Sequence, residues 1–225
     1  MSELSGPIGA VLTPLTADLQ PDAAKACIYY RKVLDGGCAG LNVMGTSGEA
    51  MSFSASQRVA FMTALAQAGL PLSRMMVGTG SVSLGDAILL TRTALELGFA
   101  GVLVMPPFFY RGVSEEGLVA FFDRLRTAAN IPAARLFLYN FPAMSGTTFT
   151  VELVRRLSGV VPIEGYKDSS NDPALQNALH EAFPKLRIFS NSEGELLRAQ
   201  HEGLAGCISG TVALWPQRAA TLWEN

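Results

Sequence analysis

Three stretches of the chain repeat one local pattern, in which glycine ends a helical segment and a short apolar run follows. Glycine suits the left-handed residue after a helix, and a short apolar run suits a strand that is buried on both faces. The pattern is a helix-to-strand joint, and its recurrence predicts one structural unit used several times. The stretches are LDGGCAGLNVMG (34–45), ELGFAGVLVMPP (96–107) and HEGLAGCISGT (201–211).

Eight short strands are predicted when the chain is read outward from these joints. Helical patterns lie between them, so the strands are parallel, and eight such units close into a (β/α)8 TIM barrel. A doubly wound open sheet is the alternative. Its G-x-G-x-x-G turn should follow the first strand, whereas GTGSVSLG (78–85) follows the third and has another spacing. The predicted strands are 8–12, 41–44, 75–78, 102–105, 136–139, 163–167, 187–190 and 207–209.

Capping residues mark the starts of several predicted helices. Ser54 and Ser192 each precede a Gln or Glu by three residues, which predicts two capping boxes. Asp172 before proline and Ser114 before two glutamates predict N-caps. The first helix is expected to open at residues 20–21.

The composition indicates a globular chain with one large core. Its 225 residues, 49% of them hydrophobic and 16% charged, suit a single barrel domain over 1–225. The 17 basic and 19 acidic residues form no basic stripe, so no nucleic-acid partner is expected. No apolar run reaches the roughly 18 residues of a membrane helix, and the first residues lack the pattern of a signal peptide.

The cysteines and histidines point away from disulfides and zinc. Cys27, Cys38 and Cys207 are odd in number and scattered, which is typical of reduced thiols in a cytoplasmic protein. His180 and His201 lie far apart and near no cysteine, so we expect no metal site.

Polar residues collect where the predicted strands end, and barrels place their active sites at those ends. The second strand leads into GTSGE (45–49), where Thr46 and Ser47 lie between glycines. This segment is either a carboxylate cradle or a plain turn. Tyr139 ends the fifth strand and Lys167 the sixth, and each is either catalytic or an ordinary residue of the rim.

Together these groups predict Schiff-base chemistry. An uncharged Lys167 amine attacks a ketone and loses water, and the protonated imine accepts electrons while a neighbouring carbon–carbon bond breaks or forms. A shielded barrel mouth disfavours the charged amine. Tyr139, one strand away, moves protons between the intermediates. This chemistry needs neither a metal nor a cofactor.

The ordered motifs GTSGE, YN-P and G-KDSS resemble the dihydrodipicolinate synthase / N-acetylneuraminate lyase family, the pyruvate-dependent class I aldolases. The resemblance runs from PIGAVLTPL near the start through GCISGT, so it covers nearly the whole chain. It implies that Lys167 is the Schiff-base lysine and Tyr139 the proton relay. It also implies that Thr46 and Ser47 hold the carboxylate of pyruvate.

The same resemblance implies two further contributions to the site. Ile208 is similar to the strand-eight residue whose backbone lines the pyruvate pocket. Tyr110 either packs beside its phenylalanine neighbours or matches the tyrosine that reaches into a neighbouring subunit. Phe109 takes that place if the aromatic run is shifted by one. Family members are usually tetramers built as dimers of dimers, so a homotetramer is expected.

The chain departs from the synthase pattern after YN-P. Met144 stands where dihydrodipicolinate synthases carry an arginine, and a thioether cannot grip a carboxylate as arginine does. This difference favours the neuraminate lyase and 2-keto-3-deoxy-sugar-acid aldolase branches. Glu193, at the end of strand seven, either meets substrate hydroxyls or is only the first-turn acid of a helix.

Length is the second departure. The family continues past strand eight with a complete helix and several more, whereas this chain stops at WPQRAATLWEN (215–225). That segment reads as the start of helix eight, so we expect a barrel without the family's C-terminal helices.

The leading hypothesis is a lyase that cleaves or forms a carbon–carbon bond with pyruvate as one partner, acting on a 2-keto-3-deoxy or related 2-oxo acid. Three alternatives remain. They are 4-hydroxy-tetrahydrodipicolinate synthase, a dehydratase or hydratase-aldolase working through the same lysine imine, and a non-catalytic barrel.

Overall fold

The computed structural model describes residues 4–132 and 135–225. Its parallel strands close into one barrel and follow each other around it in chain order. This confirms the predicted (β/α)8 fold. The strands are β1 (Gly6–Ala10), β2 (Gly40–Val43), β3 (Met75–Gly78), β4 (Gly101–Val104), β5 (Leu136–Asn140), β6 (Ile163–Asp168), β7 (Arg187–Ser190) and β8 (Gly206–Ser209).

Strand β1 lies two residues earlier than predicted, whereas the bounds of the other strands agree within one residue. Its pairing with β8 begins at Gly6, and its pairing with β2 ends at Ala10. Leu12 is 56% exposed, because the apolar run continues beyond the paired strand. Hydrophobicity therefore located this strand without marking its ends.

Helices cover the outer face of the barrel. Leu41, Val43 and Val77 point outward from the strands into the same core cluster as Phe61 and Leu90 from the helices. Burial of this apolar layer is the main force that holds helices on strands. The helices are α1 (Ala23–Asp35), α2 (Ala55–Gln67), α3 (Leu84–Leu97), α4 (Glu115–Ala129), α5 (Pro142–Ser145), α6 (Val151–Ser158), α7 (Pro173–Ala182), α8 (Leu196–His201) and α9 (Pro216–Glu224).

Three of the predicted helix starts are confirmed. Ser54 forms both hydrogen bonds of a capping box with Gln57. The side chains of Ser114 and Asp172 accept backbone N–H groups in the first turns of α4 and α7. These caps satisfy donors that a helix leaves unpaired at its N-terminus.

Two predicted starts are wrong. The first helix begins at Ala23 with Asp22 as its N-cap, because residues 20–21 belong to a turn in which Pro21 bridges to Leu15. The second capping box does not form. Ser192 accepts from the N–H of Gly194 and opens a short 3₁₀ turn, Glu193–Glu195, before α8.

Inward-facing residues fill the barrel. Ile8, Met76, Leu103 and Phe137 belong to an interior cluster that also contains Tyr139. Side chains therefore fill the interior of the barrel, and Tyr139 contributes a hydroxyl group there.

Candidate active site

Lys167 points into the barrel because β6 alternates its side chains. Its neighbour Tyr166 packs in the outer core, so Lys167 faces inward. Only 5% of Lys167 is exposed. Its register partner on β5 is Tyr139.

Tyr139 lies directly beside the lysine amine. The Lys167 Nζ atom is 4.2 Å from the centre of the Tyr139 ring, and the tyrosine is 5% exposed. The Tyr139 hydroxyl shares a 3.2 Å hydrogen bond with the Thr46 hydroxyl. Three segments that are far apart in sequence therefore meet at one point in the barrel mouth.

The turn that carries Thr46 is held by the segment that follows β1. Thr13 donates a 2.7 Å hydrogen bond to the carbonyl of Gly48. A Cβ atom at Gly48 would lie 3.1 Å from the Val11 carbonyl oxygen, so this close approach favours glycine. Glu49 adopts φ 51° and closes the turn by donating to the Thr46 carbonyl at 3.0 Å.

Ser47 lies next to the end of β8. A Cβ atom at Gly210 would sit 3.2 Å from the Ser47 hydroxyl oxygen. Ile208, two residues before Gly210, is buried inside the barrel and pairs with Ile8. The turn after β2 and the end of β8 thus form adjoining parts of the rim.

Glu193 belongs to a polar cluster on the same side of the rim. Its carboxylate accepts hydrogen bonds from the hydroxyls of Ser209, at 2.9 Å, and Thr211. Burial alone would raise the pKa of Glu193, but the hydrogen bonds from Thr211, its own backbone and Ser209 outweigh burial and lower it. Glu193 therefore stays ionised and can accept further donors.

A cavity of about 180 Å³ is lined in part by Tyr139 and Thr46. Met144, which follows β5 and is 46% exposed, forms part of its wall. The remaining lining comes mainly from segments after β2, β3 and β4: Gly45, Thr46, Glu49, Ala50, Met51, Ser52, Gly78, Gly80, Leu103, Met105 and Phe108.

Tyr110 lies on the surface of its own chain and does not line this cavity. It is 76% exposed, and its ring packs edge-on against Phe109, with ring centres 5.1 Å apart. Phe108 is the aromatic residue of this run that lines the cavity. The structure therefore brings together Lys167, Tyr139 and the 45–49 turn, and leaves Tyr110 on the surface.

A buried arginine supports the cavity wall, and the sequence interpretation missed it. Arg58 on α2 donates to the carbonyl of Gly78 at 2.7 Å and to that of Gly80 at 3.4 Å. Burial lowers the pKa of Arg58 to about 10, although the charge of Asp86 opposes this change. In the sequence, Arg58 follows the capping Ser54 by four residues. That position did not predict that its guanidinium group would bond the carbonyls of Gly78 and Gly80.

Asn140 and Asp168 were also missed as a pair. Each directly follows one of the inward residues Tyr139 and Lys167, so the two side chains point outward. The Asn140 amide donates to the Asp168 carboxylate at 2.7 Å, and both residues are fully buried. Alternation along two adjacent strands was the signal that could have found them.

The described residues contain neither a metal-binding cluster nor a membrane-spanning helix. Within 4–132 and 135–225, no group of three or more His, Cys, Asp or Glu side chains is arranged to hold a metal ion. None of the helices in that part of the chain has the length and hydrophobicity that a membrane-spanning segment requires.

The chain is a lyase of the class I aldolase superfamily, whose members share this (β/α)8 barrel. The chain matches the family model for the dihydrodipicolinate synthetase family over residues 3–225, and it belongs to that family. Members of this family are pyruvate-dependent lyases.

Relatives agree with this assignment. An uncharacterized DapA-like lyase of Chloroflexus aurantiacus is 36% identical over 100% of this chain and 75% of its own length. The structure of dihydrodipicolinate synthase from Agrobacterium tumefaciens has a TM-score of 0.90 and 30% identity, over 96% of this chain and 76% of that one.

A third relative is YagE of E. coli K12, a prophage protein of the dihydrodipicolinic acid synthase family, solved in complex with pyruvate. It superposes with a TM-score of 0.88 and 26% identity, over 99% of this chain and 75% of that one.

Proposed function

We propose that this protein is a Schiff-base-forming lyase that cleaves or forms a carbon–carbon bond with pyruvate as one partner. The observation that carries this proposal is the buried Lys167 amine, 4.2 Å from the ring of a tyrosine that hydrogen-bonds Thr46. A nucleophilic amine needs a shielded site and a nearby group that moves protons. The burial of Lys167 and the neighbouring Tyr139 hydroxyl support these two roles.

In the cleavage direction, the Lys167 nitrogen attacks the ketone carbon of a 4-hydroxy-2-oxo acid. The carbinolamine loses water and leaves a protonated imine. Tyr139 supplies the proton for that departing hydroxide and becomes a phenolate. The C3–C4 bond then breaks as the C4 hydroxyl gives its proton to this phenolate, which releases an aldehyde and leaves an enamine. The enamine takes a proton at C3, and water hydrolyses the imine to free pyruvate and the amine.

Thr46 and Ser47 are proposed to hold the carboxylate of the 2-oxo acid. They offer two hydroxyl groups between glycines, and Thr46 is already bonded to the Tyr139 hydroxyl. The backbone of Ile208 forms the adjoining rim. A carboxylate held there places C2 of the substrate near Lys167, because the carboxyl and keto carbons are neighbours.

We propose a 2-keto-3-deoxy acid or a related hydroxylated 2-oxo acid as the substrate. The ionised Glu193 is a hydrogen-bond acceptor for substrate hydroxyls, and Ser209 and Thr211 orient it. Met144 lines the cavity where an arginine would grip a second carboxylate. These two features favour hydroxyl groups over a terminal carboxylate in the tail of the substrate.

A homotetramer is part of this proposal. Tyr110 and Phe109 expose most of their side chains, 76% and 72% respectively. Either ring is suited to reach into the site of a second copy of the chain, because burying such rings gains apolar contact area. Light scattering of the wild type and of a Phe109→Ala/Tyr110→Ala variant tests this association.

The chemistry is tested by borohydride reduction with pyruvate present, followed by peptide mass mapping. The expected product is a reduced pyruvyl adduct on Lys167. Lys185, in the segment between α7 and β7, is the internal control and should carry none. Folded protein without an adduct on Lys167 rejects the imine mechanism.

The substrate class is tested by a pyruvate-release screen over 2-keto-3-deoxy acids, with Met144→Arg run in parallel. We expect release by the wild type and condensation of aspartate semialdehyde with pyruvate only by the variant. Condensation by the wild type would instead identify a 4-hydroxy-tetrahydrodipicolinate synthase. A product that keeps the whole carbon skeleton, seen by NMR, would identify a dehydratase.

A further inference from the structure

We propose that Asn140 and Asp168 are positioning residues, which set the geometry of Tyr139 and Lys167 from the outer face of the barrel. This role rests on the proposed lyase activity, since it concerns how that site is held. Asn140 follows Tyr139 on β5, and Asp168 follows Lys167 on β6. The side chains of Asn140 and Asp168 form a hydrogen-bonded pair.

The register of the two strands links the inner and outer pairs. Tyr139 is the register partner of Lys167, and Asn140 is the partner of Asp168. Consecutive residues of a strand face opposite sides, so one pair lies inside the barrel and the other outside. Asn140 is covalently joined to Tyr139, and Asp168 is covalently joined to Lys167. A change in the distance between Asn140 and Asp168 therefore shifts Tyr139 relative to Lys167.

Asp168 is held in place by several hydrogen bonds. It is 0% exposed and accepts from the Asn140 amide at 2.7 Å, the Ser170 hydroxyl at 2.8 Å and the Gln176 amide at 2.8 Å. No Lys or Arg in the described part of the chain forms an ion pair with it. Neutral amide and hydroxyl donors surround this buried carboxyl group, and hydrogen bonds of this kind are directional.

Gln176 connects this carboxylate to the outer helices. Its amide oxygen accepts from Arg198 on α8, which also pairs with Glu195 and Glu202. Asp168 thus joins β6 to α7 and, through one amide, to a charged cluster on the next helix.

Asn140 fixes the segment that follows β5. Its side-chain oxygen accepts the backbone N–H of Phe149 at 3.0 Å, and its carbonyl accepts the N–H of Ser169 at 2.8 Å. The Tyr166 hydroxyl donates to the carbonyl of Phe149 at 3.0 Å. The segment that carries Met144 is therefore tied to β6 through the same asparagine.

This arrangement matters because imine chemistry depends on sub-ångström placement. A displacement of 1 Å in a reacting group can lower a rate by about 100-fold. The hydrogen bond between Asn140 and Asp168 resists such a displacement at the carboxyl ends of β5 and β6, where the backbone pairing of the two strands ends.

The experiment is a swap of the two side chains. Asp168→Asn and Asn140→Asp are made singly and together, because the double variant restores an amide facing a carboxylate. We expect each single variant to lower kcat for pyruvate release by about 10- to 100-fold, with a much smaller change in KM. The double variant should recover most of the loss.

Ser170→Ala is the matched control, since it removes another partner of Asp168 and leaves Asn140 in place. We expect it to lower the melting temperature and to lower kcat much less than Asp168→Asn does, because the Ser170 backbone N–H and the Asn140 amide still bond Asp168. Single variants that lose stability but keep wild-type kcat below their melting temperatures overturn the proposal. A double variant as slow as the singles also overturns it.

A crystal structure of Asp168→Asn separates this role from the lyase proposal. We expect the Lys167 amine to leave its position over the Tyr139 ring, whether or not a pyruvyl adduct forms in the wild type. An unchanged distance between that amine and ring rejects the positioning role. Failure of the wild type to trap pyruvate rejects only the lyase proposal.

Discussion

Lys167 and Tyr139 occupy the same level on adjacent strands, and the lysine Nζ atom lies 4.2 Å from the centre of the tyrosine ring. Because both residues are 5% exposed, the amine faces an aromatic surface and not bulk water. The phenol oxygen is in turn fixed by Thr46. This relationship combines a shielded amine with an oriented hydroxyl group, which Schiff-base catalysis requires.

Replacing Tyr139 with phenylalanine should separate the two contributions of the tyrosine. The variant keeps the ring beside Lys167 and removes only the hydroxyl that bonds Thr46. We expect kcat for pyruvate release to fall by about 10²- to 10⁴-fold with an unchanged circular dichroism spectrum. Tyr29→Phe on α1 is the control. Wild-type kcat in the Tyr139 variant would show that another group moves the protons.

Alanine at Gly78 should destabilise the protein, whereas alanine at Gly85 should not. A Cβ atom at Gly78 would lie 2.2 Å from the Met44 carbonyl oxygen, so the backbone must shift. We expect a loss of about 1–3 kcal/mol in the free energy of unfolding.

The matched control lies in the first turn of α3. The contact nearest to a Cβ atom at Gly85 is 3.8 Å away, and alanine favours helix over glycine by about 0.5–1 kcal/mol. Urea unfolding of the two variants measures both effects. Equal stability of the Gly78 and Gly85 variants would contradict this account of the turn.

The hydrogen bonds to Glu193 should make its contribution to stability depend on pH. Although burial opposes ionisation, the bonds from Thr211, the backbone and Ser209 place the folded pKa below the ordinary value of 4.5. A lowered pKa means that the ionised form stabilises the fold above pH 4.5, and that this contribution disappears as the pH falls through the folded pKa.

We therefore expect the difference in unfolding free energy between the wild type and Glu193→Gln to be largest near neutral pH and to shrink in acid. Urea unfolding at several pH values measures it. A difference that grows toward acid would reverse the assigned sign.

Two cysteines should be unreactive in the folded protein. Burial raises the pKa of Cys38 to about 11 and that of Cys207 to about 12. Since the thiolate is the reactive form, we expect neither to react with Ellman's reagent at pH 8 until the chain unfolds. Half-buried Cys27 should react first, and Cys27→Ser should remove that early phase.

The same cysteines should lower stability in alkaline solution. Their folded pKa values lie above the ordinary value of 9.0, so the neutral thiols stabilise the fold below pH 9. This contribution decreases as the pH rises above 9 and is gone once the pH passes the folded values. Thermal melting between pH 8 and pH 10 checks this sign, and a rise in the melting temperature over that range would contradict it.

Short sequence patterns predicted the strands and several helix starts of the barrel. The glycine-ended joints and apolar runs located all eight strands, and the caps at Ser54, Ser114 and Asp172 located three helix starts. The predicted strands also indicated which residues lie at the rim, because a parallel barrel brings the carboxyl ends of its strands together. The capping box predicted at Ser192 was wrong, since a serine followed by an acid also suits a short 3₁₀ turn.

The sequence by itself determined which residues can reach the barrel mouth, because alternation and strand order depend only on neighbours along the chain. Only the tertiary structure decided which of them touch. The contact of Lys167 with Tyr139, the bond from Tyr139 to Thr46 and the outer pair of Asn140 and Asp168 depend on strand register. Register is set by the closure and packing of the whole barrel, and short-range spacing does not encode it.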